Sequence, residues 1–380
     1  LRYGPEYIIP VPFDPRLISV VPPAVAKAAM DSGVARKPIG DLKAYSRSLG
    51  ARLDPTASVL QALFEQVRGN PRRVVFAEGE EERILRAALA YRNAGYGTPV
   101  LIGREELVAK SLEHLGLAKE ADLEVHNARL SRQNKRYTDY LYDRIKRKGY
   151  LYRDCQRMVN QNRNVFAACM LALGDADALV TGTTRSYYAA LDEIRRVIDP
   201  VKGARVFGLN ILLSRGQTVF ISDTTVHELP TPEELADIAI QTAAKARRMG
   251  HEPRVALLSF SNFGNPMAEK ADRIRAAVAE LDKRKVDFEY DGEMAADVAL
   301  DAELMKLYPF CRLSAPANVL IMPALHTANV ASKLMHKLGG GTVIGPLLIG
   351  LEKPAQIVPI GATVSDLVTA AAFAAHDVGR

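Results

Sequence analysis

Arg73-Val74-Val75-Phe76-Ala77, a helical period from Glu81 to Ala94, then Pro99-Val100-Leu101-Ile102-Gly103: this stretch decides the fold class. Each apolar run is short and bounded by turn formers, which reads as a strand. Between them Ile84, Leu85, Ala88, Leu89 and Tyr91 fall on one helix face. The same alternation extends outward. A helix is expected around Thr56 to Val67, strands at Leu123-Glu124-Val125 and Ala178-Leu179-Val180-Thr181-Gly182, and a helix from Asn164 to Leu173. Strand, helix, strand repetition predicts a parallel sheet in an α/β protein.

From about Arg205 the rhythm changes. Val206 to Leu213 and Thr218 to Ser222, joined by Ser214-Arg215-Gly216-Gln217, read as a hairpin. Thr231, Pro232 and Glu234 then form a capping box for a helix. Alternation resumes with strands at Val255 to Phe260, Val286 to Tyr290, Val319 to Met322 and Thr342 to Leu348, and helices at Pro266 to Leu281, Val330 to Leu338 and Val364 to Ala375. At the other end, Tyr7 to Pro15 is apolar and proline-rich, followed by Pro22-Pro23, an alanine-rich helix to about Asp31, and Gly33 and Pro38. A boundary near residue 40 is expected, with the opening segment reading as the end of a preceding unit.

The 380 residues are 48% hydrophobic and 25% charged, with net charge +6, which excludes a disordered chain and suits two to three domains. Cys155, Cys169 and Cys311 have no CxxC spacing, so neither a disulfide framework nor a zinc ribbon is expected. No apolar run reaches the roughly 18 residues of a membrane span and no signal peptide is seen, so the expectation is a soluble, cytoplasmic protein. Charge is uneven: Arg129 to Arg157 holds ten Lys and Arg against three Asp, interleaved with Tyr137, Tyr140, Tyr142, Tyr150 and Tyr152. Such a stretch is a nucleic-acid footprint, a solvated helix face, or a landing site for a phosphorylated small ligand.

Standard signatures are absent: there is no GxxxxGK[ST], HExxH or GxSxG, and the histidines lack metal-ligand spacing, so no metal is expected. Gly339-Gly340-Gly341 follows a helix and precedes a strand, the reverse of a dinucleotide loop, and reads as a helix exit. More informative are segments where strands end. Ser259-Phe260-Ser261-Asn262-Phe263-Gly264-Asn265 stands between a strand and a helix, and either cradles an anion or caps that helix. Pro323 to Asn329 has the same position, and Asp291-Gly292-Glu293 ends another strand.

Taken together, these segments resemble the phosphate acetyltransferase family. The landmarks are Gly174 to Gly182, Leu258-Ser259-Phe260-Ser261 with Gly264, Asp291-Gly292-Glu293-Met294, Met322-Pro323-Ala324-Leu325 with Thr327, Asn329 and Lys333, and Gly345-Pro346-Leu347 with Gly350 and Lys353-Pro354, in family order. The resemblance implies two doubly wound α/β domains with a cleft between them, of the isocitrate and isopropylmalate dehydrogenase type, and a homodimer. Residues 1–39 resemble the closing segment and linker of the NADP-binding domain of bacterial multimodular malic enzymes, whose C-terminal region is phosphate-acetyltransferase-like. The implied division is 1–39 as that tail, 40–202 with 349–380 as one domain, and 203–348 as the second.

Departures from the family pattern bear on activity. Where active members carry Ser-Arg-Gly, this chain has Pro359-Ile360-Gly361; Asp366 stands at the family's base position; the serine-loop lysine is Phe263; and the segment after Gly182 looks shortened, Thr183 to Tyr188. Losing one preorganised donor costs about 100- to 1000-fold in rate, so no transferase activity is expected and no catalytic residue is assigned. The expected role is an acetyl-CoA-sensing, oligomerising regulatory module of an NADP-dependent malic enzyme. Its NADP and magnesium or manganese sites would belong to the absent core, and no cofactor is expected here. Expected acetyl-CoA contacts are Ser259, Ser261, Asn262, Thr327, Asn329, Pro359, Ile360, Gly361 and Asp366, with Arg144 or Lys148 at the phosphates. A homodimer through this region and a higher homo-oligomer of the full-length enzyme are expected, without nucleic acid or membrane. Alternatives are an active transferase with an altered site, a dimerisation scaffold, or a nucleic-acid-binding module.

Overall fold

The computed structural model describes residues 16–42, 45, 49, 55–118, 122–214, 217–339 and 341–379. The segment Tyr7 to Pro15, Gly340, and Arg215 and Gly216 of the expected turn lie outside them. Two sheets organise the chain. In the first, β1 (Arg72–Phe76), β2 (Gly97–Ile102), β3 (Glu124–His126), β4 (Ala178–Thr181) and β11 (Ala355–Ile357) pair in parallel in the order β11-β4-β1-β2-β3. The second comprises β5 (Phe207–Ser214), β6 (Gln217–Ser222), β7 (Arg254–Leu258), β8 (Glu289–Met294), β9 (Val319–Ile321) and β10 (Thr342–Ile349), in the order β10-β5-β6-β9-β7-β8. Pairings β10–β5 and β5–β6 are antiparallel, the remainder parallel.

Side-chain alternation explains why the first sheet is buried on both faces. Val74 and Phe76 point to the side covered by helices Glu82–Asn93 and Val364–His376, packing with Ile84, Leu85, Leu367 and Phe373. Val75 points the other way, to a core with Tyr137, Leu141, Val159 and Phe166 from helices Asn134–Ile145, Tyr152–Gln161 and Arg163–Ala172. The first of these cores continues into the second sheet through Phe207, Leu209, Phe220, Leu235, Val255 and Val319. Helix Pro232–Arg248 starts with the expected capping box: Glu234 N–H donates to Thr231 Oγ1 (3.3 Å) and Thr231 N–H to Glu234 Oε2 (3.0 Å).

The chain crosses between sheets twice, and the crossings are bonded to each other. Val201 N–H donates to the Gly350 carbonyl and Glu352 N–H to the Asp199 carbonyl, both at 2.9 Å. Just beyond, the buried Gln356 amide accepts from Leu348 N–H (2.8 Å) and donates to the Leu348 carbonyl (3.2 Å). After the return, β11 and helix Val364–His376 complete the first sheet's layer.

Several boundaries differ from expectation. Asp291-Gly292-Glu293 lies inside β8 rather than after it, because the strand pairs with β7 through Met294. The helix expected from Val330 starts at Leu325, so Thr327 and Asn329 sit in its first turns instead of a loop. Its N-cap is Ala324, which offers no side-chain acceptor and leaves no start signal. Pro22 and Pro23 fall within helix Arg16–Asp31 and not before it. Among the described residues no helix is long and apolar enough to cross a membrane.

Candidate functional site

Between the sheets, beyond the carboxyl ends of β4, β6, β9 and β11, lies a cavity of about 1160 Å³. This is where parallel α/β sheets place ligands, since loops and helix N-termini gather there. The first sheet contributes Tyr187 and the segment Val358 to Ala362; the second contributes Asn210, Thr224, Thr225, one face of helix Leu325–Leu338, and β10. Leu17 and Ile18 of helix Arg16–Asp31 also reach it.

The loop after β4 is fixed by one buried carboxylate. Glu78 accepts from Gly182 N–H (3.0 Å), Thr183 N–H (2.7 Å) and Thr183 Oγ1 (2.6 Å) on Oε2, and from Thr184 N–H (2.8 Å) and Thr184 Oγ1 on Oε1. Burial alone would push the Glu78 carboxyl up, but the Thr183 and Thr184 donors outweigh it and hold the group below its ordinary value. A second carboxylate, Glu193, accepts from Asn162 and Asn164, each at 2.7 Å, and pairs with Arg185. Gly182 stands between β4 and the segment after β11 at φ +124°, and a Cβ there would lie 2.1 Å from the Val358 carbonyl oxygen. Only glycine allows the two strand ends this approach.

Of the expected acetyl-CoA contacts, Pro359, Ile360, Gly361, Asp366 and Asn329 line this one cavity, as do the landmarks Leu325, Lys333, Gly345, Pro346 and Leu347. Arg83 holds the 359–362 turn by donating to the carbonyls of Ile360 (3.0 Å) and Ala362 (2.7 Å), leaving the Ile360 side chain 56% exposed. The Asp366 carboxylate accepts from both Thr363 N–H and Thr363 Oγ1 at 2.8 Å, closing the capping box of helix Val364–His376.

Other expected residues lie elsewhere. Ser259, Ser261, Asn262 and Thr327 are not cavity-lining. Ser261 is buried and donates to Glu293 Oε1 (3.0 Å), which also accepts from Gly264 N–H (2.7 Å) and Arg275 (2.9 Å). Asn262 Oδ1 accepts from Ala295 N–H (2.7 Å). Phe263 packs its ring 5.2 Å from Tyr308 and 5.1 Å from Phe310. The Arg144 guanidinium is tied to the Arg196 carbonyl (3.0 Å) and to Asp199, while Lys148 is exposed on the short turn Lys146–Lys148. Within the basic stretch, Tyr137, Tyr140, Tyr142 and Tyr150 pack into or against a core, and Lys135, Arg136 and Arg157 are ion-paired with Asp139, Asp175 and Asp154.

The cations at the cavity are ones sequence reading did not assign to a ligand. Asn329, Ser332, Lys333, His336 and Lys337 form one stripe of helix Leu325–Leu338, and Lys333, His336 and Lys337 have no ion pair among the described residues. Their spacing is the signal that could have found them. No group of three or more His, Cys, Asp or Glu among the described residues could hold a metal ion.

The paired sheets and the cavity between them define a two-sheet α/β scaffold with a ligand cleft. Residues 58–375 match the phosphate acetyl/butaryl transferase family, and the chain belongs to it. It is 31% identical over 325 residues to the phosphate acetyltransferase of Clostridium acetobutylicum, covering 83% of this chain and 97% of that protein. A phosphotransacetylase from Streptococcus pyogenes has a similar crystal structure, with TM-score 0.78 and 28% identity over 84% of this chain and 98% of that one. A longer relative is more alike in sequence: the NADP-dependent malic enzyme of Rhizobium meliloti (strain 1021), 58% identical over 379 residues, 100% of this chain and 50% of that protein. The chain spans about half the length of the malic enzymes it matches.

Proposed function

We propose that this chain is the acetyl-CoA-sensing, oligomerising module of an NADP-dependent malic enzyme and is itself without acetyltransferase activity. One observation carries the reading: the cleft is intact, but Pro359-Ile360-Gly361 brings no hydroxyl or charge to it. Asp366 reaches the same cavity with its carboxylate engaged by Thr363, which opposes a role as base. Exposed Ile360 suits an acetyl group that is held and not attacked. Lys333, His336 and Lys337, without an ion pair among the described residues, suit the phosphates of CoA, whereas Arg144 is engaged by Asp199.

In this reading malate oxidation, NADP and the divalent metal belong to the other half of the enzyme, and the module works in the cytoplasm as a homodimer within a larger homo-oligomer. Acetyl-CoA occupancy couples to that half by about 1–3 kcal/mol. Tyrosines packed inward and paired charges in the Arg129 to Arg157 stretch favour this reading over nucleic-acid binding. The test is a thermal shift of the chain with acetyl-CoA, CoA and acetyl phosphate, beside an assay for acetyl phosphate formation. Ligand at about 100 times its dissociation constant adds about 2.7 kcal/mol, a shift of several degrees. A shift with acetyl-CoA and no acetyl phosphate formed is expected; no shift with any of the three, or turnover, would refute the reading.

A further inference from the structure

Helix Arg16–Asp31 differs from the other walls of the cavity. Between its end residues only Ser19 and Lys27 are polar, so it is apolar nearly all round, a composition that a stable helix matches by burial. Among the described residues, however, none of its side chains is buried, and none belongs to a hydrophobic core or packs against one. Leu17 and Ile18, both half-buried, nevertheless line the cavity. The neighbouring walls are anchored: helix Pro55–Gly69 by Leu63, helix Tyr187–Arg195 by Leu191, helix Leu325–Leu338 by Ala328, β10 by Ile344 and the turn after β11 by Val358.

The helix is also weakened at one point. In an unbroken α-helix the N–H of residue 22 would bond to the Ile18 carbonyl and that of residue 23 to the Ser19 carbonyl. Pro22 and Pro23 supply neither. The two missing bonds fall directly behind the residues that line the cavity, so the first turn can bend on the rest of the helix more easily than an unbroken helix allows. A wall without core contacts and with an interrupted hydrogen-bond ladder is the part of the lining that opens at the lowest free energy. A ligand filling the cavity meets walls that are already fixed and this one that is not, and its contact with Leu17 and Ile18 therefore goes into ordering the helix.

Resting on the acyl-CoA reading, we propose that helix Arg16–Asp31 is a ligand-fastened latch. Bound ligand adds apolar contact to Leu17 and Ile18 and holds the first turn against the cavity, and the Pro22-Pro23 break keeps that turn loose until it does. Occupancy of the cleft is thereby read out as the ordering of one helix.

The test is amide hydrogen exchange of the 380-residue chain with and without saturating acetyl-CoA, followed at residues 24–31, beside calorimetric titration. In the wild type these amides are expected to exchange rapidly without ligand and about 10-fold or more slowly with it. Replacing both cavity-lining residues, Leu17→Ser with Ile18→Ser, is expected to weaken acetyl-CoA about 3- to 10-fold and to abolish the slowing. The same change at Val20 and Val25, 60% and 62% exposed and outside the lining, is expected to alter affinity less than about 2-fold. Pro22→Ala with Pro23→Ala returns the two missing N–H groups, so its helix should exchange more slowly without ligand and respond less to it. A wild-type chain that binds acetyl-CoA with no slowing at 24–31, or wild-type affinity in the Leu17 and Ile18 variant, would overturn the latch. Failure of the wild-type chain to bind acetyl-CoA would instead overturn the underlying reading, and the wild-type titration tells the two failures apart.

Discussion

Replacing Glu78 with Gln keeps the side chain's size and removes its charge, and the structure sets what that costs. Oε2 takes three donors and Oε1 takes two, the Thr184 N–H and hydroxyl. In its better orientation the Gln amide turns its NH₂ toward Thr184. The hydroxyl can rotate to accept, but the Thr184 N–H cannot and loses its partner, at about 1–3 kcal/mol. The three bonds left on the oxygen lose charge assistance. A total near 3 kcal/mol is expected, a fall of about 6–12 °C for a unit of this size. The sign with pH follows from the depressed carboxyl: Glu78's contribution is complete above its ordinary value of 4.5 and is lost as pH falls through the lower folded value. Melting curves of wild type and Glu78→Gln should therefore converge in acid, and the variant should bind acetyl-CoA more weakly, because this loop leads into Tyr187. Melting within about 1 °C of wild type at pH 7, or curves that stay parallel into acid, would refute the assignment of loop order to this carboxylate.

Three further outcomes are expected. Arg275→Met leaves Glu293, fully buried and bonded to Arg275 at 2.9 Å, without its counter-charge; it should lower stability by about 3–5 kcal/mol in denaturant titration, and adding Glu293→Met should recover part of the loss. Gly182→Ala should leave little soluble folded chain, whereas Gly95→Ala, at φ +76° with no atom within 4 Å of the added Cβ, should cost only about 1 kcal/mol. Lys333→Ala and Lys337→Ala should each weaken acetyl-CoA several-fold with a shallower salt dependence, read by titration at two ionic strengths.

Much of the fold was legible because burial on both faces writes itself as short apolar runs, and Val74-Val75-Phe76 and Ala178 to Thr181 are such runs. The cleft was legible in part, through residues after strands. What was hidden depends on contacts distant in sequence. Glu78 stands in an acidic run, Glu78 to Glu82, that reads as solvated, yet its partners lie 104 to 106 positions on. Tyr187 and Tyr188 are adjacent and chemically alike; one hydroxyl is sealed in the cavity and the other side chain is 82% exposed. Helix geometry at the end of β4 separates them, and composition carries no trace of it. The cationic stripe falls inside the helix expected from Val330, but Lys333, His336 and Lys337 read there as an ordinary solvated face; only the cavity they line sets them apart.

The doubled crossing between the sheets carries a mechanical consequence. With Val201 bonded to Gly350 and Asp199 to Glu352, the outgoing and returning strands form a single two-ply strap at one edge of the cleft. Such a strap resists shear and twist, because either would slide one ply against the other, and it bends most easily about one line. The shared core that joins Leu367 and Phe373 of one layer to Phe207 and Leu235 of the other adds to this strap, so the two sheets are tied by packing as well as by hydrogen bonds.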